Sequence, residues 1–412
     1  LYVRRKAVLD FVFVGESGTG TGVTQEFYSS TAQALQRRDE NERVGLWDVG
    51  FDDSGTAGGG SGDRSEYLNP PGGLFPAAIP QTEASVAAAV AAVAAVAAGA
   101  GPGRGSGGSS GQQRKASNAA GSSSSSAAKA AAASAAAAAT KLAKVMERFK
   151  LMGRMAGKAV MDSRIFPLPL DPHFFALALG EVITDDAALE VLGRKGAVLR
   201  ALVQLCNRRR ALVTSNAEAA MDVDGAAAAG AGTSDPFFLS VRVCTPGGTV
   251  SKVAVDGICL TFEDPASSHP LLPGGEDKAV TDGNLEEYCN LMTRYLLRDG
   301  VAAQVAAFRD GLDDVLPGNA LAAFTPVEAS RLVCGRRGVH WTEVSLLSDI
   351  CPEQGLTTES SSVRLLVQTL VGMSQLERSE FLLFTTCCPH LPPGGMAGLQ
   401  PRFKVHPKVD WI

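Results

Sequence analysis

The side chains that could do chemistry are few, and the most conspicuous stand together near the end of the chain. Cys387 and Cys388 are adjacent, and His390 follows within Phe384-Thr-Thr-Cys-Cys-Pro-His-Leu-Pro-Pro-Gly-Gly-Met-Ala-Gly-Leu399. A cysteine becomes a nucleophile as its thiolate, which needs a base or a positive environment. His390 is the only nearby base, and it lies in a Pro-rich turn. A vicinal pair is also a poor chelate without further ligands. The other histidines, His173, His269, His340 and His406, show no ligand spacing, and no CxxC pair suggests zinc. The residues therefore call for no metal and no cofactor. Glu286-Glu287 and Asp313-Asp314 fall on predicted helices, where solvation explains them.

A second motif fails on its own terms. Gly15-Glu-Ser-Gly-Thr-Gly-Thr-Gly22 invites a phosphate-loop reading, but Thr21 and Gly22 stand where a lysine and a hydroxyl residue are required. The dinucleotide pattern fails at Val23. A structural turn between a strand (Ala7 to Val14) and a helix is the reading that remains.

The elements that position these residues follow from periodicity. Thr24 reads as a cap, with Glu26 in the first turn of a helix through Gln36. Apolar positions Val145, Phe149, Met152, Met155, Ala156 and Val160 recur at helical spacing over Leu142 to Met161. Pro167, Pro169 and Pro172 then break the chain before a helix at Phe174 to Leu179. Strand-like runs cover Val241 to Val243 and Ile258 to Phe262. Further helices are predicted over Leu285 to Arg298 (capped by Asn284), Val301 to Leu312, Pro326 to Cys334, Val363 to Met373 and Gln375 to Phe384. The pattern is α+β and mostly helical, with a few short strands.

Two low-complexity tracts, about 52–140 and 215–234, interrupt it. They are rich in Ala, Gly and Ser, which cannot offset the entropy of ordering. Both are expected to loop out as insertions, with Ala127 to Thr140 helical because Ala has the best helix propensity. The Ala-rich run from Val86 to Ala98 is too short and too weakly apolar to cross a membrane. The chain has 412 residues, a net charge of −5 and eight irregularly spaced cysteines. Mixed charges argue against a nucleic-acid binder, and the cysteines form no disulfide framework, so a cytoplasmic or nuclear protein with reduced thiols is expected.

Several blocks, in order, resemble the HECT-type ubiquitin ligases. Gly15-Glu-Ser-Gly-Thr-Gly with Glu26-Phe-Tyr28 resembles the family's opening turn and helix. Phe149-Lys-Leu-Met-Gly-Arg-Met-Ala-Gly-Lys-Ala159 resembles its F-x-x-x-G-R-x-x-x-K-A helix, and Pro167-Leu-Pro-Leu170 the segment after it. Leu260-Thr-Phe-Glu-Asp264, Asn284-Leu-Glu-Glu-Tyr288, Gln304-Val-Ala-Ala-Phe-Arg-Asp-Gly-Leu312 and Leu332-Val-Cys-Gly335 resemble later blocks. The hairpin, the L-E-E-Y helix and the L-P-P-G-G turn look nearest to the plant UPL-type and animal TRIP-type ligases.

The resemblance implies a bilobal fold, with a large lobe at 1–355 and the hinge and first part of a small catalytic lobe at 356–412. It implies as partners a ubiquitin-conjugating enzyme, ubiquitin and protein substrates. The conjugating enzyme is expected to dock on a sub-lobe at about 179–282, with Phe262, Leu271 and Leu272 as apolar contacts and core packing as the competing role for Phe262. The hinge is expected at Gly355, Leu356 and Thr357. In the family the thioester-forming cysteine follows a threonine well beyond the L-P-P-G-G turn. No such pair occurs between Leu399 and Ile412, so that cysteine is expected beyond Ile412, in a protein of which this chain is a fragment. A module that binds conjugating enzymes without accepting ubiquitin is the alternative.

Overall fold

The computed structural model describes residues 11–15, 20–48, 66–80, 122–183, 189–219, 238–242, 250–316, 320–338 and 340–407, with some side chains inside 122–138, 194, 212–256 excepted. Helices dominate and the strands are short and paired in twos, an α+β architecture. The helices are α1 (Thr21–Gln36), α2 (Arg38–Val44), α3 (Ser122–Met161), α4 (Pro172–Leu179), α5 (Gly193–Ala219), α6 (Leu285–Leu297), α7 (Ala302–Asp313), α8 (Pro326–Cys334), α9 (Glu343–Asp349), α10 (Ser361–Gly372) and α11 (Gln375–Thr386). The strands are β1 (Phe238–Arg242), β2 (Val250–Ala254), β3 (Glu263–Asp264), β4 (His269–Pro270), β5 (Cys351–Pro352) and β6 (Lys404–Val405). The pairs β1–β2 and β3–β4 are antiparallel; β5 and β6 run parallel.

The larger apolar core forms around α3. Leu142, Val145, Phe149, Met152, Ala156 and Ala159 lie on one face and are buried. Against that face lies α7, and the two backbones approach so closely that only glycine fits. A Cβ on Gly153 would fall 2.0 Å from the Phe308 carbonyl oxygen, and one on Gly311 would fall 2.0 Å from that of Lys150. Phe174 and Phe308 pack edge to face with ring centroids 4.9 Å apart. Helix α4 begins at Asp171, whose Oδ1 accepts from the His173 backbone N–H at 2.8 Å, with Pro172 at the first helical position.

Four expectations change. Residues 66–80 belong to the core rather than to a looped-out tract: Leu68, Leu74 and Phe75 are buried. Their backbone is stitched to distant segments, with Leu74 N–H on the Pro169 carbonyl (2.7 Å), Asp48 N–H on that of Phe75 (2.9 Å) and Ile79 N–H on that of Gly300 (2.9 Å). Helix α1 starts at Thr21 with Gly20 as its cap, so Thr24 sits inside it and returns its hydroxyl to the Gly20 carbonyl. The run 258–262 is no strand; a 3-10 turn, Val255–Ile258, ends at Cys259 in the left-handed region (φ 55°). Of the strand expected at 7–14, residues 7–10 lie outside the described residues, and 11–13 form no regular element.

A second, smaller apolar cluster gathers Trp341, Leu346, Ile350, Val367, Leu370, Leu382, Leu391 and Met396, with Phe381, Phe403 and Val405 packed against it. Trp341, Phe381 and Phe403 form a chain of edge-to-face contacts. Among the described residues no helix is long and apolar enough to cross a membrane.

Candidate functional site

The two clusters meet at the segment that carries the cysteine pair. Helix α11 ends at Cys387, which takes the left-handed conformation (φ 56°). The Cys387 carbonyl accepts from the Ser29 hydroxyl of α1 at 2.5 Å. His390 is 8% exposed, and its Nδ1 donates to the Cys334 carbonyl at the end of α8, 2.6 Å away. Arg336 and Leu391 then form an antiparallel bridge. Gly335 (φ 77°) permits this contact, since a Cβ there would meet both the His390 Cβ and the Leu391 carbonyl oxygen at 2.9 Å. A cleft of about 680 Å³ opens beside this seam, lined in part by Gln25, Arg164, Cys387, His390, Arg402 and Lys404.

This environment works against thiol chemistry. Burial pushes the Cys388 thiol up to about 12, against weaker lowering by the His390 backbone N–H and the Ser29 hydroxyl. Burial also raises Cys387, with Glu26 adding to it. His390 is driven down to about 4, chiefly by burial and partly by the nearby Arg337 cation, so it is neutral at pH 7. Its Nδ1 proton is committed to a backbone carbonyl. The structure thus brings Cys387, Cys388 and His390 together as packing and hydrogen-bonding groups at a junction.

The expected docking residues form a second site. Phe262 is 0% exposed, stacked edge to face on Tyr288 with Lys278 Nζ 4.1 Å above its ring. Its N–H donates to the Gly275 and Lys278 carbonyls, and its carbonyl accepts from Leu271 N–H at 2.8 Å. Phe262 therefore has no face to offer a partner and acts as the core anchor of the β3–β4 hairpin. Leu271 and Leu272 follow that hairpin and are half-buried, packed on the larger core with part of each side chain outward. Asp264 organises the turn, accepting from the Ser267 hydroxyl (2.6 Å) and the Ala266 N–H (3.2 Å). His269 stacks on Tyr295 at 5.0 Å. At the other side of this unit, the Lys195 ammonium of α5 pairs with Asp48 at 3.3 Å; burial raises the Asp48 carboxyl and Lys195 opposes it.

Gly355, Leu356 and Thr357 lie in a turn between β5 and α10. Leu356 N–H donates to the Glu353 carbonyl, and Thr357 N–H to the Ser360 hydroxyl, with Ser360 itself the cap residue of α10. Both neighbours of this turn belong to the second cluster, which begins at Trp341. The change from one cluster to the other falls at 335–340, a stretch whose paired glycines, Gly335 and Gly338, both have positive φ. That spacing of glycines was the available signal in the sequence.

With this geometry in place, the comparisons with known proteins add the family. Residues 112–410 match the HECT-domain (ubiquitin-transferase) family, and the chain belongs to that family. It is 28% identical over 99% of its length to the E3 ubiquitin-protein ligase Ufd4 of Drosophila melanogaster. Identity is 26% over 98% to UPL3 of Arabidopsis thaliana and 26% over 97% to TRIP12 of Danio rerio, each named an E3 ubiquitin-protein ligase. The domain is thus of the UPL and TRIP type. The chain spans 15%, 18% and 16% of the lengths of these three relatives.

Proposed function

We propose that this chain carries the ubiquitin-transfer domain of a HECT-type ubiquitin-protein ligase. It docks a ubiquitin-conjugating enzyme so that ubiquitin passes to a cysteine as a thioester and then to a substrate lysine. The observation that carries the reading is the family match over residues 112–410; Phe149, Phe262, Tyr288 and Phe308 of the resembling blocks lie in the larger core. Transfer requires a thiolate and a thioester carbonyl to be held within reach, so a docking surface and a movable lobe are the functional parts.

In this reading the unit at about 179–282 is the docking sub-lobe, and its outward-facing Leu271 and Leu272 are contacts. Phe262 holds the hairpin that presents them. The two apolar clusters are the two lobes. The hinge lies at 335–340 rather than at 355–357, because Trp341, Leu346 and Ile350 already pack with the second lobe. None of the eight cysteines is the ubiquitin acceptor, so the 412 residues alone bind without transferring. The two tracts expected as insertions fall partly on residues 49–65, 81–121 and 220–237, which lie outside the described residues.

The test is calorimetric titration of the chain with a panel of ubiquitin-conjugating enzymes. Saturable binding that falls at least about tenfold in Leu271→Asp/Leu272→Asp supports the assignment; a tenfold change is about 1.4 kcal/mol. Binding unchanged in that variant sends the docking surface elsewhere, and no binding by any enzyme of the panel removes the docking role.

A further inference from the structure

The cleft beside the junction carries a charge that the transfer reaction does not use. Its lining holds three cations, Arg164, Arg402 and Lys404, and no carboxylate. Glu353 already holds Lys404 at 2.6 Å. Among the described residues, the Arg164 and Arg402 guanidiniums make no hydrogen bond and no ion pair. Glu26, which acts on Cys387, stands outside the lining. A cleft walled by uncompensated guanidiniums and free of carboxylates selects anions.

Two further observations narrow the kind of anion. Helix α1 presents its N-terminus here. Thr21 and Gly22 line the cleft, Gly20 supplies no side-chain cap, and the first turn holds no acid. The space around that turn is open, since a Cβ on Gly22 would meet nothing within 4 Å. The glycine-rich run before α1 lacks the lysine of a phosphate loop; Arg164 and Arg402 bring cations to the same cleft from distant parts of the chain. The second observation is His390, which lines the cleft although it is only 8% exposed. Its Nδ1 proton goes to the Cys334 carbonyl at 2.6 Å. Its Nε2 makes no hydrogen bond among the described residues, and in the neutral ring that nitrogen offers a lone pair. A buried acceptor beside cations is satisfied by an anion that carries its own O–H.

We propose that this cleft is a binding site for a phosphate monoester carried on a small molecule. Arg164 and Arg402 take the charged oxygens by charge-assisted hydrogen bonds. The first turn of α1 adds backbone N–H donors, and His390 Nε2 accepts the remaining P–O–H. Sulfate and carboxylate ligands have no such O–H near neutral pH, so the site separates them from phosphate. The cleft volume, about 680 Å³, falls within the range of about 300–1,000 Å³ usual for small ligands. Arg164 precedes Phe166 of the larger cluster and Arg402 precedes Phe403 of the second, so an occupied site would tie the two together. What that tie does to lobe movement is the one consequence that rests on the proposed function.

The experiment is calorimetric titration of the whole chain with inorganic phosphate and with glycerol phosphate, in low salt, with sulfate as the comparison anion. At about pH 6.5 a monoester, whose second pKa is about 6, keeps part of its O–H. The expected result is saturable binding of both phosphates and at least about tenfold weaker binding of sulfate. Arg402→Gln, at an exposed position, and Arg164→Gln should each weaken phosphate binding at least about tenfold. Arg309→Gln removes the same charge from an exposed position on α7 and should leave binding unchanged. In His390→Asn, with circular dichroism showing that the fold is kept, phosphate and sulfate should bind alike. No saturable binding of either phosphate overturns the site, and so does an equal loss in Arg309→Gln. Unweakened binding in Arg402→Gln overturns it as well. Sulfate bound as tightly as phosphate by the unsubstituted chain would leave a bare cluster of cations and overturn the role of His390. A phosphoserine peptide that binds where glycerol phosphate does not would overturn the small-molecule assignment. None of these outcomes depends on whether a conjugating enzyme binds.

Discussion

Substituting Gly311 by alanine sets two effects of opposite sign against each other. Alanine favours a helix interior over glycine by about 1 kcal/mol, so an unobstructed Gly→Ala change on α7 would stabilise the chain. The structure obstructs it: the new Cβ would stand 2.0 Å from the Lys150 carbonyl oxygen, 2.9 Å from its carbon and 3.1 Å from the Arg154 nitrogen. All three are backbone atoms of α3, so no side-chain rotamer can yield. Non-bonded carbon–oxygen contacts settle near about 3.3–3.6 Å, and the helices must therefore separate by more than an ångström along their tightest line. Overpacking costs roughly 1–3 kcal/mol, and rigid atoms on both sides put this site at the upper end. After subtracting the propensity gain, Gly311→Ala is expected to destabilise the large core by about 2 kcal/mol. Urea denaturation followed by far-ultraviolet circular dichroism measures it, with Gly372→Ala as the control, because nothing lies within 4 Å of a Cβ there. A Gly311→Ala midpoint equal to or above that of the unsubstituted chain would refute the close α3–α7 crossing.

Other perturbations read the remaining parts of the account. Phe262→Ala should destabilise by roughly 3–5 kcal/mol in the same assay, as a buried aromatic does; a change below about 1 kcal/mol would return Phe262 to the surface. Cys387→Ser with Cys388→Ser should leave conjugating-enzyme affinity unchanged by calorimetry, and a tenfold loss, about 1.4 kcal/mol, would contradict the structural role of the pair. His390 gives a pH signature. Its folded pKa lies below the unfolded one, so its stabilising effect is complete above about 6.5 and is lost as pH falls toward about 4. The full swing is on the order of 3 kcal/mol. Thermal unfolding between pH 7 and 4.5 should show this acid loss in the native chain and less of it in His390→Asn, which keeps a donor but cannot titrate. Equal slopes in the two chains would show that His390 is not a buried neutral group.

Where local chemistry alone sets an element, it could be read from the sequence. Helix α8 runs over Pro326–Cys334 as expected, because Thr325 and Glu328 form a capping box and Gly335 ends it. Helix α11 is set in the same way by Ser374 and Glu377. Helix α5 was missed because its charged run Arg208-Arg209-Arg210 and its glycines blur the apolar stripe, which only the facing α6 completes. The segment 66–80 was missed because its order comes from partners distant in sequence, at 46–48, 169–171 and 300. The hinge was expected at 355–357 on the strength of threonines and serines, and the proposed relocation to 335–340 rests on the second apolar cluster beginning at Trp341. At 355–357 the Ser360 hydroxyl accepts from Thr357 N–H and closes the turn before α10. The Pro-rich setting of the cysteine pair argued in the sequence against a catalytic role. The burial that raises both thiols needed the fold.

Intact-mass analysis of the chain after mixing with a ubiquitin-loaded conjugating enzyme, without reductant and alongside a binding titration, tests the central claim most directly. The account predicts saturable binding and no ubiquitin adduct on any of the eight cysteines. A ubiquitin adduct that thiol treatment removes would place the acceptor among those cysteines and contradict the assignment of Cys387 and Cys388 to structure. Absence of binding would contradict the docking function itself.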